Sequence, residues 1–405
     1  MSFFKRGNSV EKFGVIIDIG SGSALAAIIH SDDNEASPTI VWFTREHAPL
    51  KNIESTTESA KAVTTALMNA LLKLDGEGRK VLEEYHKGAK ITDIQCTISA
   101  PWSYTVTKNI NYTQEKEFSI SAELIDELTK TAQEKTAAEM RESESVSELG
   151  LLVVAQTTMA IMANGYRVHA PATGKTPELS LTHASVVTQQ YLVDSLEDLR
   201  QKLFPESKLK MLSYVLTMYC VSKDLFPHLH EVCLIDITYE ASEIGIEREG
   251  VLQYSTHTPF GLFSLAREIA EITGVPLHEA FKYLHGETPY GFLDTLSESK
   301  RADIEQLFEA YINKLAGLFH ETGDELSIPK QMLVNTPAGT ETLLQDLLDK
   351  AAKRATKTSP AIQMVTTKLL AKNESDSAIT STDASMLVAA RFFHKRQHCL
   401  TFDYL

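Results

Sequence analysis

Asp18 follows the apolar run Val15-Ile16-Ile17, and Ile19 then leads into the turn Gly20-Ser21-Gly22-Ser23 before Ala26-Ala27-Ile28-Ile29 runs away from it. This is the pattern of a β-hairpin whose turn can face a phosphate. Glycines let the backbone approach closely, the Ser21 and Ser23 hydroxyls and turn amides donate to anionic oxygens, and Asp18 can hold a Mg²⁺-bound water. Taken alone the string reads as a structural turn. A second stretch of like design strengthens the chemical reading: Val232-Cys233-Leu234-Ile235-Asp236-Ile237-Thr238, followed by Glu243-Ile244-Gly245-Ile246 and Glu249-Gly250. Asp236 is the second candidate for a water-bridged Mg²⁺, and Thr238 and Ser242 each offer one donor. Glu240 and Glu243 read either as groups that position an attacking water or as part of a solvated loop.

The elements that must hold these hairpins follow from periodicity. Thr39-Ile40-Val41-Trp42-Phe43 is β-branched and aromatic and predicts a third strand, which makes the first unit an antiparallel meander. From Glu54 to about Tyr85 the apolar positions Ala60, Val63, Ala66, Leu67, Ala70, Leu71 and Leu74 recur at helical steps, with Asp75-Gly76-Glu77-Gly78 ending or interrupting the helix. Ile91 to Ser99 returns to strand. Between Phe118 and Leu203 the order is strand or loop, helix, strand, strand, helix. The helix opens at Ser121-Ala122-Glu123, the strands are Leu149 to Met159 and Ser180 to Thr188 with the turn His169 to Lys175 between them, and Tyr191 to Leu203 is helical. Lys210 to Lys223 reads as one buried helix leading into the second hairpin. That hairpin continues through a strand at Val251 to Thr256 and a helix at Leu262 to Ile272, so the second half repeats the first. Helix Ser297 to Leu318, strand Gln331 to Val334, helix Thr340 to Ala352, a Ser/Thr/Asp-rich loop at Asn373 to Ser385 and a helix at Met386 to Lys395 complete the chain.

At 405 residues the chain has length for two or more domains of about 150 residues each. A net charge of -15 argues against nucleic-acid binding, which needs a concentrated basic surface. Cys96, Cys220, Cys233 and Cys399 show no paired spacing, which fits a reducing compartment. His394, His398 and Cys399 have a metal-like spacing, but no carboxylate cluster joins the basic run Arg391 to Arg396, so a solvated helix end is the expectation. No window approaches ~18 uninterrupted apolar residues, no signal sequence is expected, and the arm Met1 to Arg6 reads as a frayed terminus. Neither a Gly-x-Ser-x-Gly elbow nor a kinase acceptor signature is present.

A duplicated Asp-ended hairpin, each copy backed by helices, with a late strand–loop–helix, resembles the actin-like ATPase superfamily. Its phosphate-one, phosphate-two and adenosine segments match Asp18 to Ser23, Asp236 to Glu243, and Leu333 to Glu341 in order. The insert opening at Ser119 to Leu128, the run Leu179 to Leu203, and Val232 to Gly261 are similar to the FtsA/PilM branch, proteins of bacterial cell division and of type IV pilus assembly. The resemblance implies an α/β fold, a duplicated actin-like (ribonuclease H-like) architecture with two lobes around a nucleotide cleft and a strand-helix-strand-strand insert. Residues 1–117 would begin the first lobe, 118–205 form the insert and 206–230 return to the first lobe. Residues 231–385 would form the second lobe with a helical subdomain at about 262–328, and 386–405 a helix returning to the first lobe.

The same resemblance implies ATP and Mg²⁺ as cofactors, with Asp18, Gly20, Ser21, Gly22, Ser23, Asp236, Thr238 and Gly339 around the nucleotide and Asp18 and Asp236 toward the metal. Two departures bear on this. Thr238-Tyr239-Glu240-Ala241-Ser242-Glu243 carries a tyrosine and carboxylates where the family has glycines, and Asn335-Thr336-Pro337 stands where consecutive glycines would let a nucleoside lie flat, leaving Gly339 nearby. The expected function is a cytoplasmic scaffold at the inner face of the cell membrane that binds ATP–Mg weakly through a partly degenerate cleft. Its implied partners are the cytoplasmic peptide of a membrane protein or the tubulin-like division polymer, with self-association. The alternatives are an active ATPase or kinase-like enzyme, and a nucleotide-free interaction module.

Overall fold

The structure, a computed structural model, describes residues 11–49, 56–142, 150–168, 174–286, 288–320, 328–370, 383–395 and 400–404. The terminal arm, His398 and Cys399, and most of the loop expected at 373–385 lie outside the described residues. β1 (Glu11–Ile19), β2 (Ser23–Asp32) and β3 (Thr39–His47) form the expected antiparallel meander. β1 and β2 are almost wholly buried. One face is covered by α1 (Thr56–Lys73) and α2 (Arg79–Tyr85), joined by a single π-helical turn at Leu74–Gly78 in place of a break. β4 (Ile91–Ile98) returns parallel to β1.

The third sheet starts earlier than the hydrophobic pattern indicates. β5 (Ser103–Ser119) is a long edge strand whose outer positions are polar, so that Ile110 is buried between exposed Asn109 and Asn111. α3 (Ala122–Glu142) follows, capped by Ser121, whose Oγ accepts from Leu124 N at 3.2 Å. β6 (Leu151–Ala163), the short β7 (Tyr166–Val168) and β8 (Lys175–Gln189) complete the sheet, with β8 antiparallel to both β5 and β6. Alternation along β8 divides its faces. Leu179 and Leu181 pack with Leu128 and Ala132 of α3, while Ala184 and Val186 join the core of the first lobe.

α4 (Gln190–Leu203) leads to β9 (Lys208–Ser213), which pairs parallel to β4, and to α5 (Tyr214–Leu225). The run expected as one helix from Lys210 is therefore a strand and then a helix. Ser213 makes the junction, accepting the Leu216 amide at 3.3 Å as the N-cap of α5. Every residue from Tyr214 to Ser222 is buried, because α5 touches both main sheets.

β10 (Val232–Ile237), β11 (Ser242–Arg248) and β12 (Val251–Thr258) repeat the meander, followed by α6 (Leu262–Thr273), α7 (Leu277–Lys282) and α8 (Glu298–His320). β13 (Gln331–Asn335), α9 (Glu341–Thr356), β14 (Ala361–Met364) and α10 (Thr367–Leu370) finish the second lobe. α11 (Ala384–Lys395) returns to pack on β1, β2 and α5, and β15 (Asp403–Tyr404) adds to β6. The strand orders are β3-β2-β1-β4-β9, β12-β11-β10-β13-β14 and β15-β6-β8-β5. In the first two sheets the steps run antiparallel, antiparallel, parallel, parallel in the same sequence. The chain is thus a duplicated α/β fold of two lobes around a cleft, with a further sheet inserted in the first.

Candidate functional site

The C-terminal ends of β1 and β10 face each other across a cavity of about 280 Å³, lined among others by Asp18, Arg45, Asp236, Asn335 and Asp383. Strand register sets which side chains meet there. Asp18 stands level with Leu25 and Arg45 on one side and Thr97 on the other. In the second sheet Asp236 stands level with Glu243 and His257 on one side and Asn335 on the other.

In the first lobe Asp18 is 2 % exposed and both of its carboxylate oxygens are hydrogen-bonded. Oδ2 accepts from Arg45 Nη2 at 2.7 Å and from Ser385 Oγ at 2.8 Å, and Oδ1 accepts from Thr97 Oγ1 at 3.1 Å. Arg45 also donates to Asp383, through Nε at 2.5 Å and Nη2 at 3.0 Å, and to Ser23 Oγ at 2.9 Å. Burial works against the Arg45 charge, but Asp383 and Asp18 together raise its pKa. Burial likewise opposes ionisation of Asp383, and the charge and hydrogen bonds of Arg45 outweigh it and hold the carboxyl below its ordinary range. His47, beside this group, is kept neutral by burial and then by Arg45.

In the second lobe the acids have no ion-pair partner among the described residues, and Arg45 acts on Asp236 only from across the cleft. Asp236 Oδ1 accepts from Asn335 Nδ2 at 2.8 Å, while Asp236 Oδ2, Glu243 Oε2 and Asn335 Oδ1 have no hydrogen-bond partner among the described residues. Burial pushes the Asp236 carboxyl up to about 7, against the pull of Asn335 and Ser99. Burial and then the neighbouring Asp236 push Glu243 well above its usual range. Burial thus disfavours the charged form of both acids, so the glutamate read as a solvated or water-positioning group is a buried one whose carboxyl is raised well above its usual range.

The turns of the two hairpins touch. Ser21 Oγ is 2.7 Å from Thr238 Oγ1 and accepts from the Glu240 amide at 2.7 Å. Gly22 lies against Tyr239, where an added Cβ would come within 2.9 Å of the tyrosine Cβ. Tyr239 in turn packs on His47, Phe263 and Phe281. Amides at the start of α6 are used internally, since Leu262 N donates to Thr238 O at 3.1 Å and Phe263 N to Tyr239 O at 2.7 Å. Gly261 permits this approach, because a Cβ there would fall 2.5 Å from Thr238 O. Glu240 turns away from the cleft to pair with Arg267.

Asp18, Gly20, Ser23, Asp236 and Thr238 therefore line the cavity as expected residues brought together, while Ser21 and Gly22 sit in the seam between hairpins. Gly339 lies beside the lining residues Pro337 and Ala338, its amide donating to Glu341 at 2.7 Å and its carbonyl accepting from Gly286. Arg45, His47, His285, Asp383 and Ser385 are lining residues that the sequence pattern missed. Only Asp383 carries a local signal, an acid before an apolar helical run, and it does cap α11 by accepting the Met386 amide at 3.0 Å. His394 is not at a solvated end: it is buried, with Nδ1 2.9 Å from Ser31 Oγ and Nε2 3.1 Å from Glu35 O. Among the described residues no group of three or more His, Cys, Asp or Glu could hold a metal ion.

A hydrated Mg²⁺ bridged to Asp18 would share that carboxylate with Arg45 and Ser385 on Oδ2 and with Thr97 on Oδ1. The cation that Asp18 meets is Arg45, so the residues as placed do not fit Mg²⁺ there. The cavity also falls just under the ~300–1,000 Å³ usual for ligand sites.

Comparison with protein-family profiles and with curated proteins gives no match. Solved structures do match. The PilM–PilN type IV pilus biogenesis complex is similar at a TM-score of 0.54 and 12% identity, over 95% of this chain and 98% of that chain. The ethanolamine utilization protein EutJ from Carboxydothermus hydrogenoformans aligns at a TM-score of 0.44 and 10% identity, over 96% of this chain and 92% of that one. A Bacteroides thetaiotaomicron protein with an actin-like ATPase fold and unknown function aligns at 0.42 and 8% identity, over 90% and 93%. The matched strand orders of the two lobes and the end-to-end similarity to PilM give the chain the actin-like ATPase fold, in the form shared with PilM.

Proposed function

We propose that this protein is an actin-like scaffold of a membrane-associated machine, of the PilM kind, in which nucleotide binding is weak and turnover is not the output. In this reading it sits at the cytoplasmic face of the membrane through its partners. It takes the cytoplasmic peptide of a membrane-anchored subunit against the insert or the first lobe, and it self-associates. The observation that carries the reading is the seam: Ser21, Thr238 and the Glu240 amide, the groups best placed to receive phosphates, are bonded to one another. ATP–Mg must part these bonds and displace Arg45 from Asp18 before it can enter. Uncoupling a buried ion pair costs about 3–5 kcal/mol, which at about 1.4 kcal/mol per tenfold lowers affinity by roughly two to three and a half orders of magnitude.

A nucleotide-free interaction module is the second reading, favoured by the Arg45–Asp18 contact itself. Calorimetric titration of the full chain with Mg–ATP, alongside a phosphate-release assay, tests the first. Half-saturation in the millimolar range with no turnover is expected. Micromolar binding with turnover that disappears in Asp18→Ala would sink the scaffold reading in favour of an enzyme.

A further inference from the structure

Arg45 reaches Asp18 across Leu25, since the three residues stand in register on neighbouring strands. Around its guanidinium are two carboxylates, Asp18 and Asp383, and two hydroxyls, Ser23 and Ser385. An all-oxygen shell with two carboxylates is the kind that hard divalent cations select. Ser385 Oγ lies 2.8 Å from Asp18 Oδ2 and 2.9 Å from Asp383 Oδ1, so the two carboxylates flank one hydroxyl whose single proton serves either of them. Neighbouring carboxylates repel one another, and a cation between them offsets that repulsion. A structural salt bridge on the surface would be the plain alternative, but the Asp18 side chain is 3 % exposed and those of Arg45 and Asp383 18 % and 19 %. The shell also joins distant parts of the chain, tying β1 and β3 of the first lobe to the N-cap of α11, where the chain comes back from the second lobe.

We propose that Arg45 is the resident counter-ion of this cleft: its guanidinium takes the position between Asp18 and Asp383 that a divalent cation would need, so the first lobe is charge-balanced and α11 is held without Mg²⁺ or nucleotide. The inference rests on reading the cleft as a degenerate nucleotide site. It adds that the divalent cation has been replaced by a side chain rather than merely lost. Removing the guanidinium then leaves an acidic oxygen cage, and the cage acquires a dependence on divalent cations that the wild type lacks.

The test is thermal unfolding of the full chain in EDTA and in millimolar Mg²⁺ alone. The wild-type Tm is expected to be the same in both. Arg45→Ala should lower Tm by several degrees in EDTA and regain most of the loss with Mg²⁺, and Arg45→Gln, which keeps hydrogen bonding without charge, should respond in the same way if the alanine variant does not fold. In Arg45→Ala/Asp18→Asn, with one carboxylate neutralised, the Mg²⁺ response should disappear. A wild type stabilised by Mg²⁺ as much as the variants, or uncharged variants indifferent to Mg²⁺, would overturn the proposal. Its fate is separable from that of the scaffold reading: tight ATP binding by a wild type whose unliganded Tm ignores Mg²⁺ removes the scaffold and leaves the resident cation in place.

Discussion

The two lobes have the same strand order and the same sense at every step, yet they balance charge in opposite ways. In the first, Asp18 is met by Arg45 two strands away. In the second the corresponding row reads His257, Glu243, Asp236, Asn335, with burial lowering the pKa of His257 and no arginine or lysine in the row. One lobe uses an ion pair and the other uses protons. A duplicated backbone therefore does not imply a duplicated chemistry, because the register positions are inherited while the side chains on them diverge.

That contrast can be broken first in the ion-paired lobe. Asp383→Ala removes a half-buried partner of Arg45 and the cap of α11, and should cost roughly 3 kcal/mol in denaturant unfolding. A loss below about 1 kcal/mol would mean that the ion pair contributes no more than an exposed one. The proton-balanced lobe is probed by pH. The Asp236 carboxyl is raised from 3.8 to about 7 on folding, so its contribution is fully present below the unfolded value and is lost as pH rises through about 7. Glu243 is raised in the same sense. Stability should therefore fall between roughly pH 4 and 7, with a slope approaching ~1.4 kcal/mol per unit per group. Asp236→Asn should flatten that slope. Asp383, whose carboxyl is lowered, has the opposite sign: its contribution is present above the ordinary carboxylate range and is lost on acidification. The smallest effect belongs to the seam. Ser21→Ala removes the contacts to Thr238 and the Glu240 amide and should cost about 1 kcal/mol, measured by the same unfolding assay, with the pH slope unchanged.

The architecture was legible in sequence because both hairpins announce themselves locally: apolar run, Asp, turn, apolar run, at Asp18 and again at Asp236. The strands that escaped are those whose pattern admits two periods or is masked by polar residues. Met211 and Leu212 suit the buried helix that follows as well as the strand they occupy, and β5 shows only alternate apolar positions along a polar edge. The site was half legible. Asp18, Ser23, Asp236 and Thr238 could be found because each lies at or beside a recognisable hairpin turn, and the drift of Tyr239 and Asn335 from glycine already pointed to a partly degenerate cleft. Arg45 could not be found that way. An arginine between Thr44 and Glu46 resembles any strand-end charge, and its meaning comes from Asp18 across two strands and from Asp383 across the fold.

The Arg45–Asp383 contact spans 338 residues. Contacts of such separation form late, since the loop they close must be ordered first. On a ribosome, Asp18 and Arg45 emerge together and can pair within the first meander, whereas Asp383 and α11 follow only after the entire second lobe has left the exit tunnel. The first lobe thus waits for its last carboxylate and for the helix on its open face. During synthesis that face of β1 and β2 is a bare apolar sheet, the surface on which nascent chains of this protein would most need protection from one another.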